Sequence, residues 1–328
     1  MIRVLRAGML TTVQDLGRPG FQRLGVVAGG AADPFAARVA NALVGNDANA
    51  ALLEMVFTGP QLCFDSDSLI AWCGADFAPT LDGKPLPGHR PVRVNAGNIV
   101  DFSNARRGAM AWVAVAGGLA VPEIMGSRAT DLAAAFGGIN GRRVMEGDAL
   151  PVGLPSPWAH RQMKRLRHSG DTAPWSVCIE HLTTPPPHDT LRAVHGPEWD
   201  WFSPAAQTTV FADRFQVTKD SNRMGVRLSG PPLALTNPRE MISAAVQHGV
   251  LQVPPSGQPI LLGVDRQTIG GYPRLAAVAS VDFAGLAQLR PGDPVRFQEI
   301  TLAEAHALLL RRERDFAHLL VQLTLPPN

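Results

Sequence analysis

The chain has 328 residues, of which 45% are hydrophobic and 18% charged, and its formal net charge is +2. That length allows about two domains with real cores, and the near-balance of charge excludes a protein built around nucleic acid or an anionic membrane. Three cysteines (Cys63, Cys73, Cys178) are odd in number and lack metal-ligand spacing, which excludes a disulfide framework and fits a reducing cytoplasm.

Taken in chain order, Met1–Gly8 alternates like a strand and has no apolar signal core. No run reaches the roughly 18 apolar residues that a spanning helix needs. Leu10–Val13 reads as a second strand and leads into a polar, glycine-rich turn at Gln14–Gly20. The next segment is helical: Asp33 can cap, Pro34 suits the first position and Gly45 the end, while Phe35, Val39 and Leu43 form one apolar stripe. Short strands bounded by turn residues then follow at Leu69–Cys73, Val92–Val94, Ile99–Phe102 and Ala111–Val115. Pro155–Pro187, with the basic run His160–His168 and TTPPP at Thr183–Pro187, reads as a linker or surface excursion. More strands are expected at Ile260–Val264, Leu275–Val281 and Val295–Ile300. Thr301 and Glu304 have capping-box spacing ahead of a helix that runs to Leu323.

A degenerate internal repeat organises these pieces. Ile2–Gly8 matches Leu191–Gly196, Phe57–Leu62 (FTGPQL) matches Leu228–Leu233 (LSGPPL), and Asn95–Phe102 matches Arg290–Phe297. The expected fold is mainly β, with two related barrel halves at 1–185 (including the linker) and 186–300, a short helix in the first half, and a C-terminal helix at 301–328.

Common catalytic signatures are absent, and the nine histidines are scattered without metal-ligand spacing, so no metal is expected. Two polar clusters stand out. In the first, Gln14, Asp15 and Arg18 could hold a small planar polar group through an amide, a carboxylate and a guanidinium fork; equally, Asp15 and Arg18 could pin a turn. In the second, Asp265, Arg266, Gln267 and Thr268 precede Gly270, Gly271 and Tyr272, the chain's only tyrosine. There the glycines could take positive φ and let backbone amides meet an anion or carbonyl oxygen, or the segment could be a hairpin turn. Asn222 and Arg223, ahead of Gly225, offer an equivalent loop to the first cluster.

At these residues a family resemblance becomes specific. TTVQDLGRPG, DPFAARVANALVGND, FTGPQL, AVAGGL, GSRATDL, FGGINGR, SNRMGVRLSGPPL, LQVPPSGQPI and DRQTIGGYP occur in this order between Ile2 and Phe297. Together they resemble the carboxyltransferase-type family also called allophanate hydrolase subunit 2. The resemblance implies two cyclophilin-like β-barrels and a role as the C subunit of an ATP-dependent 5-oxoprolinase, beside the A and B subunits. ATP would then act in the complex, since this chain carries no recognisable nucleotide motif. It also implies two alternatives. One is a biotin-dependent carboxyltransferase component acting on urea or another small amide. The other is a regulatory partner of a protein related to the B subunit, as in a Bacillus sporulation kinase system. On this reading Asp265, Arg266, Gln267 and Tyr272 would be catalytic. Gln14, Asp15, Arg18, Asn222, Arg223, Thr268, Gly270 and Gly271 would bind a small amide or lactam. Ile269 stands where the family commonly has a second Thr. Ala244 and Ala245 replace a commoner polar residue and Gly, and Val26–Pro34 replaces a PPSGAMDP pattern.

Overall fold

The structure, a computed structural model, describes residues 1–179, 182, 185–187 and 189–324. The expectations for Thr183, Thr184, His181 and His188, and for the last four residues of the C-terminal segment, lie outside that range. Two units are formed. The first takes Met1–Arg18, Gly29–Ile179 and the chain from Ala317; the second takes Pro19–Ala28 and the chain up to Phe316.

In the first unit eleven strands build two sheets. One has the order β11 (Ala149–Leu150), β1 (Ile2–Arg6), β4 (Gln61–Phe64), β9 (Ile99–Asp101), β6 (Thr80–Leu81), β7 (Lys84–Pro85). The other runs β2 (Leu10–Gln14), β3 (Leu52–Val56), β10 (Arg107–Val115), β5 (Ser68–Asp76), β8 (Val92–Val94). Alternation along the strands puts Ile2, Val4, Phe64, Val100, Leu53, Met55, Ile70 and Val113 into one core shared by both sheets. This half is therefore two sheets around a common core, and the closed barrel belongs to the second unit.

The outer face of the five-stranded sheet is covered by α1 (Pro34–Leu43). Asp33 caps it by accepting from the amides of Phe35 and Ala36, and Phe35, Val39 and Leu43 are buried as the stripe predicts. A second helix, α2 (Pro157–Leu166), falls where the sequence predicts a linker. Ser156 accepts from the Ala159 amide and Pro157 takes the first helical position, a start signal that the surrounding basic residues obscure. The Trp158 indole donates to the Leu323 carbonyl at 2.7 Å.

The second unit is a closed seven-stranded barrel in the order β12 (Thr190–His195), β19 (Arg274–Val278), β16 (Val250–Gln252), β17 (Ile260–Leu262), β14 (Gly225–Ser229), β13 (Phe215–Val217), β20 (Pro294–Glu299). Closure comes from the parallel pairing of β12 with β20, Leu191 opposite Phe297. In β20 Val295 and Phe297 point inward while Arg296 and Gln298 face out. Inside are Leu191, Phe215, Leu251, Leu261, Leu275 and Phe297, each contributing about 1.5–3 kcal/mol on burial. A small hairpin-like pair, β15 (Ala244–Ala245) with β18 (Ile269–Gly270), stands beside the barrel. Two helices, α3 (Pro204–Ala212) and the short α4 (Phe283–Ala287), complete the unit's wall. The last helix, α5 (Leu302–Thr324), starts with the expected capping box: Glu304 accepts from the Thr301 amide at 2.7 Å, and Thr301 Oγ1 accepts from the Glu304 amide at 3.2 Å.

One turn recurs three times. At 95–98, 145–148 and 290–293 the fourth residue's amide donates to the first residue's carbonyl, and the fourth side chain (Asn98, Asp148, Asp293) accepts from the first residue's amide. The third residue is Gly97, Gly147 or Gly292, with φ between +85° and +90°. Its amide donates to a neighbouring strand, at Phe64, Val4 and Val217 respectively. This supports the match of Asn95–Phe102 with Arg290–Phe297. The FTGPQL match holds only in part: a Gly-Pro turn follows a strand end in both segments (β3 and β14), but Phe57–Leu62 leads into β4 whereas Leu228–Leu233 leads into no strand. By hydrogen bonding to the shared turn, the counterpart of β4 is β13.

Candidate functional site

In the first unit, motifs far apart in sequence close into one buried knot. Strand β2 and the turn that follows it deliver Gln14, Asp15 and Arg18, all nearly inaccessible. Asp15 accepts from the Gly17 amide (2.8 Å), the Ser127 hydroxyl (2.6 Å) and the Arg128 amide (2.6 Å). The guanidinium of Arg18 donates to the Ala129 carbonyl and lies 4.6 Å from the centre of the Phe136 ring. Gln14 donates to Thr12 Oγ1 at 3.1 Å and to the Thr130 carbonyl at 3.3 Å, while its buried Oε1 meets no donor among the described residues. Gly137 is left-handed at φ +73°, and a Cβ there would collide with the Ala129 carbonyl. TTVQDLGRPG, GSRATDL and FGGINGR thus form a single construction. Within it Asp15 ties 15–17 to 127–128, which is the turn-pinning role.

On an adjoining row of the same sheet, Glu54 (β3) lies opposite Thr12 and Trp112. Its carboxylate is buried and accepts from the Trp112 indole (2.9 Å) and the Ala32 amide (2.8 Å). Sequence reading passes over Glu54 because it sits in the run LLEMV, whose other members are apolar. Cys73, next along the row, has its thiol pKa pushed well up by burial.

In the second unit, Arg223 and Asp265 form a two-pronged ion pair with N–O distances of 2.7 and 3.0 Å. The Asp265 amide also donates back to the Arg223 carbonyl, so the loops after β17 and before β14 are locked together. Arg266 is buried and points donors at the carbonyls of Val246 and Val264, both 3.3 Å away. Burial holds its guanidinium pKa below the usual value. The Thr268 carbonyl accepts from the Val246 amide. Asn222 accepts from the Met224 amide in an Asx turn. His248 stacks on Phe283 with ring centres 4.0 Å apart, and its pKa is pushed down to about 3 by burial first, then by Arg266 and Arg223.

Neither Gly270 nor Gly271 has positive φ, so the expected amide nest is not formed. Gly270 is needed for another reason: a Cβ on it would press into the amide of Gln252, which itself donates to the Tyr272 carbonyl at 3.0 Å. The exposed residues of the segment are Gln267, Ile269, Gly271 and Tyr272. Tyr272 and Gly271 border a groove of about 780 Å³, with Arg239, Glu240, Met241, Leu235 and Pro254 among its other walls. Arg239 lies 4.9 Å from the ring of Trp201. No motif points to Arg239 or Glu240, which sit in an ordinary loop. The groove is mostly apolar with a few polar groups, the usual composition of a small-molecule site.

A family model described as carboxyltransferase domain, subdomain A and B, matches residues 24–299. The chain belongs to this family. Within it, the chain is 38% identical to the C subunit of the Escherichia coli (strain K12) 5-oxoprolinase, across 97% of each chain. It is 30% identical to the urea amidolyase of Lachancea kluyveri, across 93% of this chain but 17% of that protein. Of solved structures, the Kluyveromyces lactis urea carboxylase superposes with a TM-score of 0.87 at 27% identity, covering 100% of this chain and 30% of the other. These carboxyltransferase relatives agree with a mainly β architecture.

Proposed function

We propose that this chain is the C subunit of a 5-oxoprolinase, acting with the A and B subunits in the cytoplasm to open 5-oxo-L-proline to L-glutamate at the expense of ATP. The observation that carries this reading is end-to-end similarity: 97% of both chains align with the Escherichia coli protein, whereas the urea amidolyase is matched over only 17% of its length. No helix among the described residues is long and apolar enough to cross a membrane.

The substrate is a flat lactam with one carbonyl acceptor, one N–H donor and a carboxylate. Opening it adds water oxygen at the lactam carbon, breaks the ring C–N bond and returns a proton to the departing amine. ATP would activate the lactam oxygen. Because Gly270 and Gly271 form no amide nest, the loop does not fit a triphosphate, and we assign the nucleotide to the complex rather than to this cluster. What the chain's own residues offer is recognition. Gln267 and Tyr272 are the exposed polar side chains of the loop, and Arg239 supplies a cation on the groove for a carboxylate. Asp265, Arg266, Asn222 and Arg223 hold the loops that present them.

Expression of this chain with the A and B subunits should give glutamate from 5-oxoproline only when ATP is present. A complete set that releases no ATP-dependent glutamate overturns the proposal. A second reading, transfer of a carboxyl group to urea or a similar amide, is favoured by the superposition on urea carboxylase. It predicts urea-dependent ATP turnover when the chain is supplied with a biotin carboxylase and its carrier.

A further inference from the structure

The basic run that the sequence presents as a linker is a helix with one uncompensated face. Between Ala149 and Gly170 the chain has no Asp or Glu. On α2, Arg161, Lys164 and Arg165 are exposed, with Arg167 just beyond, while Ala159 and Leu166 are buried on the other side. Positions 161, 164, 165 and 168 recur at helical spacing and share a face. Five other arginines of the same unit are paired: Arg3 with Asp65, Arg6 with Asp101, Arg93 with Asp67 and Asp171, Arg128 with Glu123, and Arg142 with Asp148. Arg161, Lys164 and Arg165 form no ion pair among the described residues, whereas Arg167 lies in the field of the Asp67 carboxylate. Favourable interaction with the helix C-terminus accounts for cations in the last turn, but not for Arg161, a turn earlier. Nor does it account for Leu154, two residues ahead of the N-cap and 95% exposed.

We propose that this face is a docking surface for an acidic segment of a partner protein in the complex, with Leu154 as its apolar contact; the proposal rests on the assignment to a 5-oxoprolinase complex. Charge complementarity selects the occupant. Three clustered cations, Arg161, Lys164 and Arg165, with no carboxylate among them favour an acidic partner. A membrane would want exposed aromatic or apolar residues along the helix, and Trp158 is held by the Leu323 carbonyl instead. A nucleic acid would want a basic domain, and the whole chain carries only +2.

The test uses the full chain and the purified A and B subunits. The triple variant Arg161→Glu/Lys164→Glu/Arg165→Glu should bind them about tenfold more weakly or worse at low salt. Rising salt should weaken the wild type and leave the variant little changed. Leu154→Ser should weaken binding severalfold at every salt concentration. All the altered side chains are exposed, so the melting temperature should hold and vouch for folding. Unchanged affinity in the triple variant overturns the proposal, as does a wild-type chain that binds neither partner. Loss of binding only to heparin or to anionic vesicles, with affinity for the partners intact, also overturns it. Glutamate release by the wild-type set is read separately: its absence removes the functional reading, while the docking surface is judged on the affinities.

Discussion

Gly97, Gly147 and Gly292 hold the same left-handed backbone in three turns, and in each case a Cβ would meet nothing within 4 Å. Conformation alone is therefore at stake. Gly292→Ala should destabilise the chain by about 1–2 kcal/mol, the cost of left-handed backbone for an L-residue, seen as a lower denaturation midpoint at unchanged slope. The second cluster separates in the same way. Gln267 is exposed and its side chain makes no hydrogen bond among the described residues, so Gln267→Ala should leave the melting temperature alone and reduce turnover of the assembled complex. Unchanged turnover would return the loop to a structural role. Arg266→Ala is a poorer probe, because it empties a buried site and strips donors from two carbonyls; a loss of stability of about 1–3 kcal/mol is expected. At this scale the sequence shows which residues are polar and adjacent. It does not show that Asp15 would spend its oxygens on Ser127 and Arg128, more than a hundred positions away.

Elements are legible where their end signals are local. The Asp33–Pro34 start of α1 and the Thr301/Glu304 box of α5 lie within four residues, and the hydrogen bonds form as their spacing requires. Helix α2 carries the same kind of signal in Ser156–Pro157, yet its run of basic residues hides a stripe with only Ala159 and Leu166 buried. Ser156→Ala should cost about 1 kcal/mol and lower the thermal midpoint; no change would mean that the cap contributes nothing beyond the tertiary contacts of Trp158. The repeat shows the same limit. Matching turns can be paired because a Gly-Asx turn is a local object, whereas FTGPQL and LSGPPL share letters but occupy different strand connections.

For the whole molecule, the pH profile of stability follows from which groups the fold favours in which charge state. His248 has its pKa depressed to about 3 when folded, against about 6.5 unfolded. Below about pH 6.5 the unfolded chain then takes up a proton that the folded chain refuses, so stability is complete above that pH and falls as acid is added, by up to about 1.4 kcal/mol per pH unit. Glu198, beside Arg274, and Asp148, beside Arg142, also titrate below their ordinary range. They contribute above about pH 4 and are lost below it. Urea midpoints across the acid range should therefore drop in two stages, and His248→Gln should flatten the first; an unaltered first stage would sink the assignment. The two-part mainly β plan is legible from strand lengths and turns. The closure of one half and the two-sheet form of the other depend on pairings such as β12 with β20, more than a hundred residues apart.

The three thiols differ sharply in reach. Cys63 and Cys73 are buried, while Cys178 is exposed. The native chain thus carries one addressable thiol without any engineering. A maleimide dye should attach once to the folded protein and three times in denaturant. It would mark the end of the stretch that begins with α2, where a change in its emission on adding the A and B subunits would report assembly directly.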